Sequence, residues 1–264
     1  MNIKRIFGII LRHFYLLKHS ISRWIDLIYW PTVDLLLWGF ITIYLQKDLA
    51  KNEPTWVFHF LGALIFWNIL IRAQQGLAVG FLEDVWARNL IHLFVSPLTL
   101  SEYLTGLFIF SLIKAIIATI LMVILASLAF DFNFLIQGIN FFFLTMGLII
   151  FAWTIGLLTM AFVLIFGQEA EILAWALALL FLPFSAVFYP VEVLPGFCQK
   201  IAYFVPTSYI FESMREILLK GSINHTYLIK SYILNILYFF LGIASFIWAF
   251  NSAKKQGKLT KIGE

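Results

Sequence analysis

Long unbroken runs of apolar residues are the strongest constraint on how this chain can fold. A run such as Ile116 to Leu125 is apolar on every side of a helix. Of the 264 residues, 62% are hydrophobic and 12% are charged, whereas soluble domains are about half apolar and a quarter charged. The sequence therefore predicts an integral membrane protein.

The length of the apolar runs predicts helical spans. About 20 residues cross a hydrocarbon layer of about 30 Å as a helix, and a helix pairs its own backbone polar groups. Strands of a membrane barrel would alternate apolar and polar residues, which these runs do not. The prediction is an all-α, one-domain protein with six spans: Trp24 to Leu45, Thr55 to Ala78, Tyr103 to Phe130, Ile139 to Phe166, Ile172 to Tyr189 and Tyr227 to Phe250.

The segment before the first span has the pattern of an amphipathic helix. From Ile3 to Ser22, polar residues recur at helical spacing between apolar faces, which predicts a helix lying in the membrane interface. A secretory signal is the alternative, but Arg12 and Lys18 interrupt the apolar stretch. The predicted division is an interfacial helix over 1–23, a transmembrane domain over 24–250 and a basic tail over 251–264.

The distribution of Lys and Arg predicts the orientation. The first segment, the loop after the second span and the tail are basic, and they share one side of the membrane if six spans are present. Basic residues favour the cytoplasmic side. We therefore expect both termini to be cytoplasmic, and basic flanks of this kind suit an anionic leaflet rather than nucleic acid.

The loop Phe81 to Glu102 is the most patterned connection. Its apolar residues, including Val85 and Leu90, predict one face of a short helix that Ser96 and Pro97 end. Thr99 and Glu102 then match a capping box that starts the third span. An amphipathic connector resting on the membrane is the alternative. The polar residues predicted to make contacts are Glu83, Asp84, Arg88 and Asn89.

The stretch Phe184 to Ser208 is apolar but contains Pro190, Pro195 and Pro206. Proline interrupts helices, and broken helices at membrane depth need cover from protein or water. The pattern predicts a re-entrant helical hairpin between spans five and six, with an external loop as the alternative. A helix from Phe211 to Lys220, ended by Gly221, is predicted to follow.

Four ionisable residues lie inside the predicted spans: Asp26, Asp34, Arg72 and Lys114. Such residues are expensive in a membrane and are therefore candidates for function. A rise of about 1.5 Å per residue puts Asp34 and Lys114 at similar depth, which predicts an Asp34–Lys114 pair and a shallower Asp26–Arg72 pair. Pairs that fix helix packing are the preferred interpretation over a proton relay.

No motif of a self-contained enzyme is present in the sequence. It lacks GxxxxGK[ST], HExxH and GxSxG, and its five histidines have no ligand spacing. Cys198 is the single cysteine, so neither a disulfide within the chain nor a cysteine-rich metal site can form. We therefore predict no catalytic residue, metal ligand or cofactor in this chain.

The patterned loop followed by the proline-rich stretch resembles the permease subunits of type-2 ATP-binding-cassette (ABC) exporters. The likeness covers most of the chain. The residues that carry it are Glu83, Asp84, Trp86, Arg88, Asn89, Leu90, Ser96, Pro97 and Glu102 in the loop, and Phe188, Tyr189, Pro190, Leu194, Pro195, Pro206, Glu212 and Arg215 beyond span five.

The resemblance implies a half-transporter of the bacterial inner membrane that pairs with a second copy. Two separate nucleotide-binding subunits would bind ATP and Mg²⁺ and drive the pair. The segment from Glu83 to Leu90, including Val85 and Trp86, would couple to the ATPase, with Glu169 and Glu171 as weaker candidates. The hairpin, with Tyr189, Pro190, Pro195 and Pro206, would cap the exit path.

The resemblance implies export of a lipid-like, amphipathic or glycan-linked substrate. Carbohydrate exporters tend to carry an RYxxS-like stretch before the first span, whereas this chain has LLKHSISRWIDLIYWP, which weakens the polysaccharide interpretation. A secondary transporter driven by an ion gradient and a non-transporting membrane scaffold are the alternatives. The first would often show duplicated halves, and no convincing internal repeat is visible.

Overall fold

The computed structural model describes residues 1–49, 55–132 and 138–257, and within these ranges the secondary structure is helical, with no strand. The α-helices of the described ranges are α1 Ile3–Lys18, α2 Ile21–Leu49, α3 Thr55–Trp86, α4 Leu90–Val95, α5 Leu100–Phe130, α6 Gly138–Phe166, α7 Leu173–Phe181, α8 Gly196–Ala202, α9 Pro206–Lys220 and α10 His225–Lys255.

Five helices of the described residues, α2, α3, α5, α6 and α10, are long and apolar enough to cross a membrane. In the most apolar windows of α3 and α6, 83% and 72% of residues are buried, against 22% in α2 and 28% in α10. The helices α3 and α6 therefore form the centre of the bundle, and α2 and α10 lie at its periphery.

The two ends of the bundle are marked by aromatic contacts. At one end, the ring centroid of Phe94 in α4 lies 4.8 Å from that of Phe250, near the end of α10. At the other end, the ring centroid of Phe60, near the start of α3, lies 4.7 Å from that of Phe188 in the proline-rich stretch. The patterned loop and the proline-rich stretch therefore lie at opposite ends of the bundle.

The prediction of a continuous fifth span from Ile172 to Tyr189 is wrong. The helix α7 has nine residues and ends at Phe181, and a short 3₁₀ turn follows from Pro183. At about 1.5 Å per residue, nine residues cover about 14 Å, roughly half of a hydrocarbon layer. Pro183 has no backbone N–H with which to continue the helical hydrogen bonds, and Ala186 adopts a left-handed conformation with φ of 52°.

Other predicted boundaries agree more closely. The first helix ends at Lys18, earlier than the predicted Ser22. The third span begins at the predicted capping box, since Thr99 precedes the first residue of α5. The helix predicted from Phe211 begins earlier, at Pro206, and ends at Lys220 before Gly221 as predicted. The basic tail from residue 258 onward lies outside the described residues.

Two close helix contacts depend on glycine. A Cβ on Gly76 of α3 would lie 2.7 Å from the Cα of Ser111 in α5, and one on Gly106 of α5 would lie 2.7 Å from Ile9 of α1. The small residues let the backbones approach, as in other membrane helix pairs. Helix α1 therefore packs directly on α5.

Helix α1 has two apolar faces. Ile6, Ile9 and Leu17 are buried against the bundle, whereas Phe7 and Phe14 are exposed. The buried face fixes the helix to the bundle. The exposed apolar face fits the predicted position in the membrane interface.

Candidate functional site

A network of charged side chains joins α1, α2, α3 and α5 at the end of the bundle that carries the patterned loop. Its centre is Asp84 near the end of α3, which is fully buried. Asp84 pairs with Arg12 of α1 and accepts a hydrogen bond of 2.7 Å from the Tyr103 hydroxyl of α5. A buried carboxylate needs such partners to offset the loss of hydration. Asp84 therefore ties three helices together.

The neighbouring Glu83 extends the network to α2. Arg23 Nε donates to Glu83 Oε1 at 2.6 Å, and Arg23 also donates to the Leu16 carbonyl at the end of α1. The fully buried His13 lies between the two acidic residues, 3.6 Å from Glu83 and 3.7 Å from Asp84. The position of α1 is thus set relative to α2 as well as to α3.

The capping box of α5 is the third anchor of α1. Thr99 accepts from the Glu102 backbone N–H, and Glu102 Oε2 accepts from the Thr99 N–H at 3.0 Å, as predicted. The other oxygen of Glu102 accepts from the Asn2 N–H at 2.6 Å. Arg5 donates to the Pro97 carbonyl and lies 3.5 Å from Glu102. The start of α1 is therefore attached to the start of α5.

The loop between α3 and α5 folds as helix, short helix and turn. Arg88 adopts a left-handed conformation with φ of 50°, Asn89 precedes α4, and Ser96 follows it. The exposed side of this loop carries a tryptophan, two basic or titratable residues, a valine and a proline. We call this exposed surface the loop apex: Trp86, Arg88, His92, Val95 and Pro97.

The structure separates the residues predicted to couple to an ATPase into two groups. Trp86 and Arg88 are exposed on the loop apex. Asp84, Val85 and Leu90 are 0%, 1% and 2% exposed, so their side chains face the bundle. Asp84 and Val85 lie in the last turn of α3, and Leu90 is the first residue of α4. That the segment as a whole couples to an ATPase stays a prediction.

Sequence reasoning missed the partners of the acidic residues. The sequence pattern places Arg12, His13 and Arg23 in the interfacial segment and Tyr103 in a span. A signal was present: α1 carries cations and the end of α3 carries two adjacent carboxylates. Nothing in the sequence, however, indicated that α1 folds back onto α3 and α5.

We expect a measurable coupling between Arg23 and Glu83. The Arg23 side chain is 32% exposed, so solvent screening limits the pair to about 1 kcal/mol. The check is a double-mutant cycle on thermal unfolding with Arg23→Ala, Glu83→Ala and the double variant. Strict additivity, within about 0.3–0.5 kcal/mol, would show that the pair contributes nothing.

Beyond α7, the proline-rich stretch is fixed by polar contacts to α9. Glu212 accepts from the Val191 N–H at 2.7 Å, Arg215 donates to the Ala186 carbonyl at 2.7 Å, and the two side chains pair at 2.9 Å. Tyr189 donates to the Pro183 carbonyl. Glu212 and Arg215 therefore form hydrogen bonds with backbone groups of the irregular stretch, which have no partner within a regular helix.

The prolines of this stretch mark its turns. Pro190 precedes a short 3₁₀ turn, Pro195 precedes α8, and Pro206 is the first residue of α9. The region contains short helices, as the hairpin prediction requires. Its depth in a membrane stays a prediction.

The intramembrane charges form one of the two predicted pairs. Arg72 lies 3.4 Å from Asp26 Oδ2 and 3.2 Å from the Asp26 carbonyl. Among the described residues, no ion pair joins Asp34 to Lys114. The prediction of an Asp34–Lys114 pair is therefore wrong. It was based on equal depth in the membrane, and depth does not fix the direction in which each side chain points.

The family model of the ABC-2 type transporter matches residues 15–219. This range covers most of the chain, including the patterned loop, the proline-rich stretch and most of α9. No curated protein that was compared matches the chain. The chain therefore belongs to the ABC-2 type transporter family.

The family and the fold together define the class of the protein. It is a multi-pass membrane protein and the permease component of an ABC-type transporter. Permeases of this family form the membrane part of the transporter and generally work with ATPase subunits.

Proposed function

We propose that this chain is the permease subunit of an ABC exporter in the bacterial inner membrane. Two copies pair, and each docks a separate nucleotide-binding subunit through the loop apex. The observation that carries this proposal is the charge network behind the apex. It joins Asp84 and Glu83, just before the apex, to α1, α2 and α5.

This arrangement is suited to transmitting a force. A partner that moves the loop apex pulls on the end of α3, and buried contacts carry the movement to its neighbours because packed elements shift as units. The Gly76–Ser111 contact continues the coupling deeper along α3 and α5. ATP binding and hydrolysis in the partner would then move the permease helices without a catalytic residue in this chain.

The peripheral helix α2 supports pairing with a second copy. It exposes large apolar side chains, among them Trp30, Leu37, Trp38 and Phe40, and it also carries the half-exposed Asp26 beside Arg72. A path between two copies would have largely apolar walls. Such a path fits a lipid-like or amphipathic substrate, whether free or linked to a glycan.

Substitutions on the loop apex are expected to weaken ATPase binding. Trp86 is 47% exposed and Val95 is 81% exposed, and truncating an aromatic anchor of an interface costs about 2 kcal/mol or more. We expect Trp86→Ala and Val95→Asp each to lower the affinity for a nucleotide-binding subunit by about 30-fold. The measurement is the affinity between the purified subunits.

Val193→Asp is the matched control, because Val193 is also exposed but lies in the proline-rich stretch at the opposite end of the bundle. It should leave the affinity unchanged. Equal losses in all three variants, or no loss in the two apex variants, would exclude the apex as the docking surface.

A further inference from the structure

A cavity of about 410 Å³ lies between α6, α10 and the connection that leads from α8 into α9. This volume is within the range of about 300–1,000 Å³ typical of ligand pockets. Thr154 and Ile155 of α6, Tyr238 and Gly242 of α10, and Phe204 of the connection contribute to its wall. The cavity lies apart from the charge network and the loop apex.

The side-chain hydroxyls of Thr154 and Tyr238, in the cavity lining, offer no free hydrogen-bond donor. The Thr154 hydroxyl donates to the Ile150 carbonyl, and the Tyr238 hydroxyl donates to the Phe204 carbonyl at 2.9 Å. The Pro206 carbonyl already accepts from Ser231. A polar headgroup would lose its hydration here without gaining partners. The lining therefore selects a hydrocarbon occupant.

The cavity opens sideways onto an apolar surface. Two lining residues, Phe204 and Leu241, are 68% and 54% exposed, and Ile233 and Leu237 continue the exposed apolar face along α10. In a membrane this face meets lipid chains. Access from the bilayer therefore needs no polar entrance.

We propose that this cavity binds one acyl chain of a bilayer phospholipid. The chain enters between Phe204 and Leu241, lies against Thr154 and Ile155, and fills the space beneath the α8–α9 connection. Gly242 is part of the cavity wall, and a Cβ there would make ordinary contacts of 3.5 Å with the Thr154 carbonyl and 3.6 Å with Leu157. A larger side chain at Gly242 would occupy the cavity.

Photolabelling tests this site in the permease alone, so the outcome is independent of ATPase docking. The purified chain is reconstituted in phosphatidylcholine vesicles that contain a phosphatidylcholine with a diazirine near the end of one acyl chain. Labelled peptides are identified by mass spectrometry. We expect concentrated labelling at Thr154 and Ile155, and none there from a lipid that carries the diazirine on its headgroup.

Two variants block the site by different routes. Gly242→Leu fills the cavity, and Leu241→Trp obstructs its mouth at an exposed position where folding is not at risk. Both should abolish most labelling of Thr154 and Ile155, whereas the matched control Ile233→Phe, on the exposed face of α10 outside the lining, should not. The proposal is overturned if Thr154 and Ile155 are labelled no more than the exposed residues of α10, or if Leu241→Trp leaves their labelling unchanged.

Discussion

Replacing Asp84 with alanine is expected to lower the stability of the protein more than any other single change in the charge network. Asp84 is fully buried, and its loss removes the partner of Arg12 and the acceptor for Tyr103. Breaking a buried ion pair costs about 3–5 kcal/mol; because Arg12 keeps some exposure to solvent, we expect about 3 kcal/mol. Thermal unfolding of the purified protein in detergent measures the effect.

Asp84→Asn separates the charge from the hydrogen bond. The amide oxygen can still accept from Tyr103, so this variant should lose clearly less stability than Asp84→Ala. The control is Glu192→Ala, an exposed carboxylate in the proline-rich stretch, which should have little effect. If Asp84→Ala unfolds at the same temperature as this control, the network does not hold the helices together.

Replacing Gly76 with alanine should also destabilise the protein strongly. The new Cβ would lie 2.7 Å from the Cα and 2.8 Å from the Cβ of Ser111, so α3 and α5 would have to separate. Overpacking of this kind costs about 1–3 kcal/mol, which outweighs the gain of about 1 kcal/mol in helix propensity from glycine to alanine. The same thermal unfolding measurement applies.

Gly242→Ala is a matched control for Gly76→Ala. It is the same chemical change in another long apolar helix, but the new Cβ would make only ordinary contacts. We expect unchanged or slightly higher stability. Equal destabilisation by the two variants would mean that the helix contact at Gly76 has no special role.

Local signals predicted the helices and their caps well. The capping box of Thr99 and Glu102, the turn at Ser96 and Pro97, and the helix end before Gly221 all depend on neighbouring residues, and the structure has each of them. The fifth span was overextended because apolar composition is the same in a helix and in the irregular backbone after Phe181. Pro183 was the signal against a continuous helix.

Long-range pairing could not be predicted from one sequence. Asp84 lies 72 positions along the chain from Arg12, and nothing local links them. The acidic pair was therefore assigned to the surface that binds a partner, whereas the fold uses it to attach α1. The Asp26–Arg72 pair was predicted correctly, whereas the Asp34–Lys114 pair was not found.

Site-specific cross-linking tests the central proposal most directly: a nucleotide-binding subunit docks on the loop apex. Val95→Cys and Val193→Cys, each in a Cys198→Ser background, place a single thiol at opposite ends of the bundle. With a bifunctional reagent, the account predicts a cross-link to the nucleotide-binding subunit from position 95 and none from position 193. A cross-link from position 193, or from neither position in a complex that forms, would contradict it.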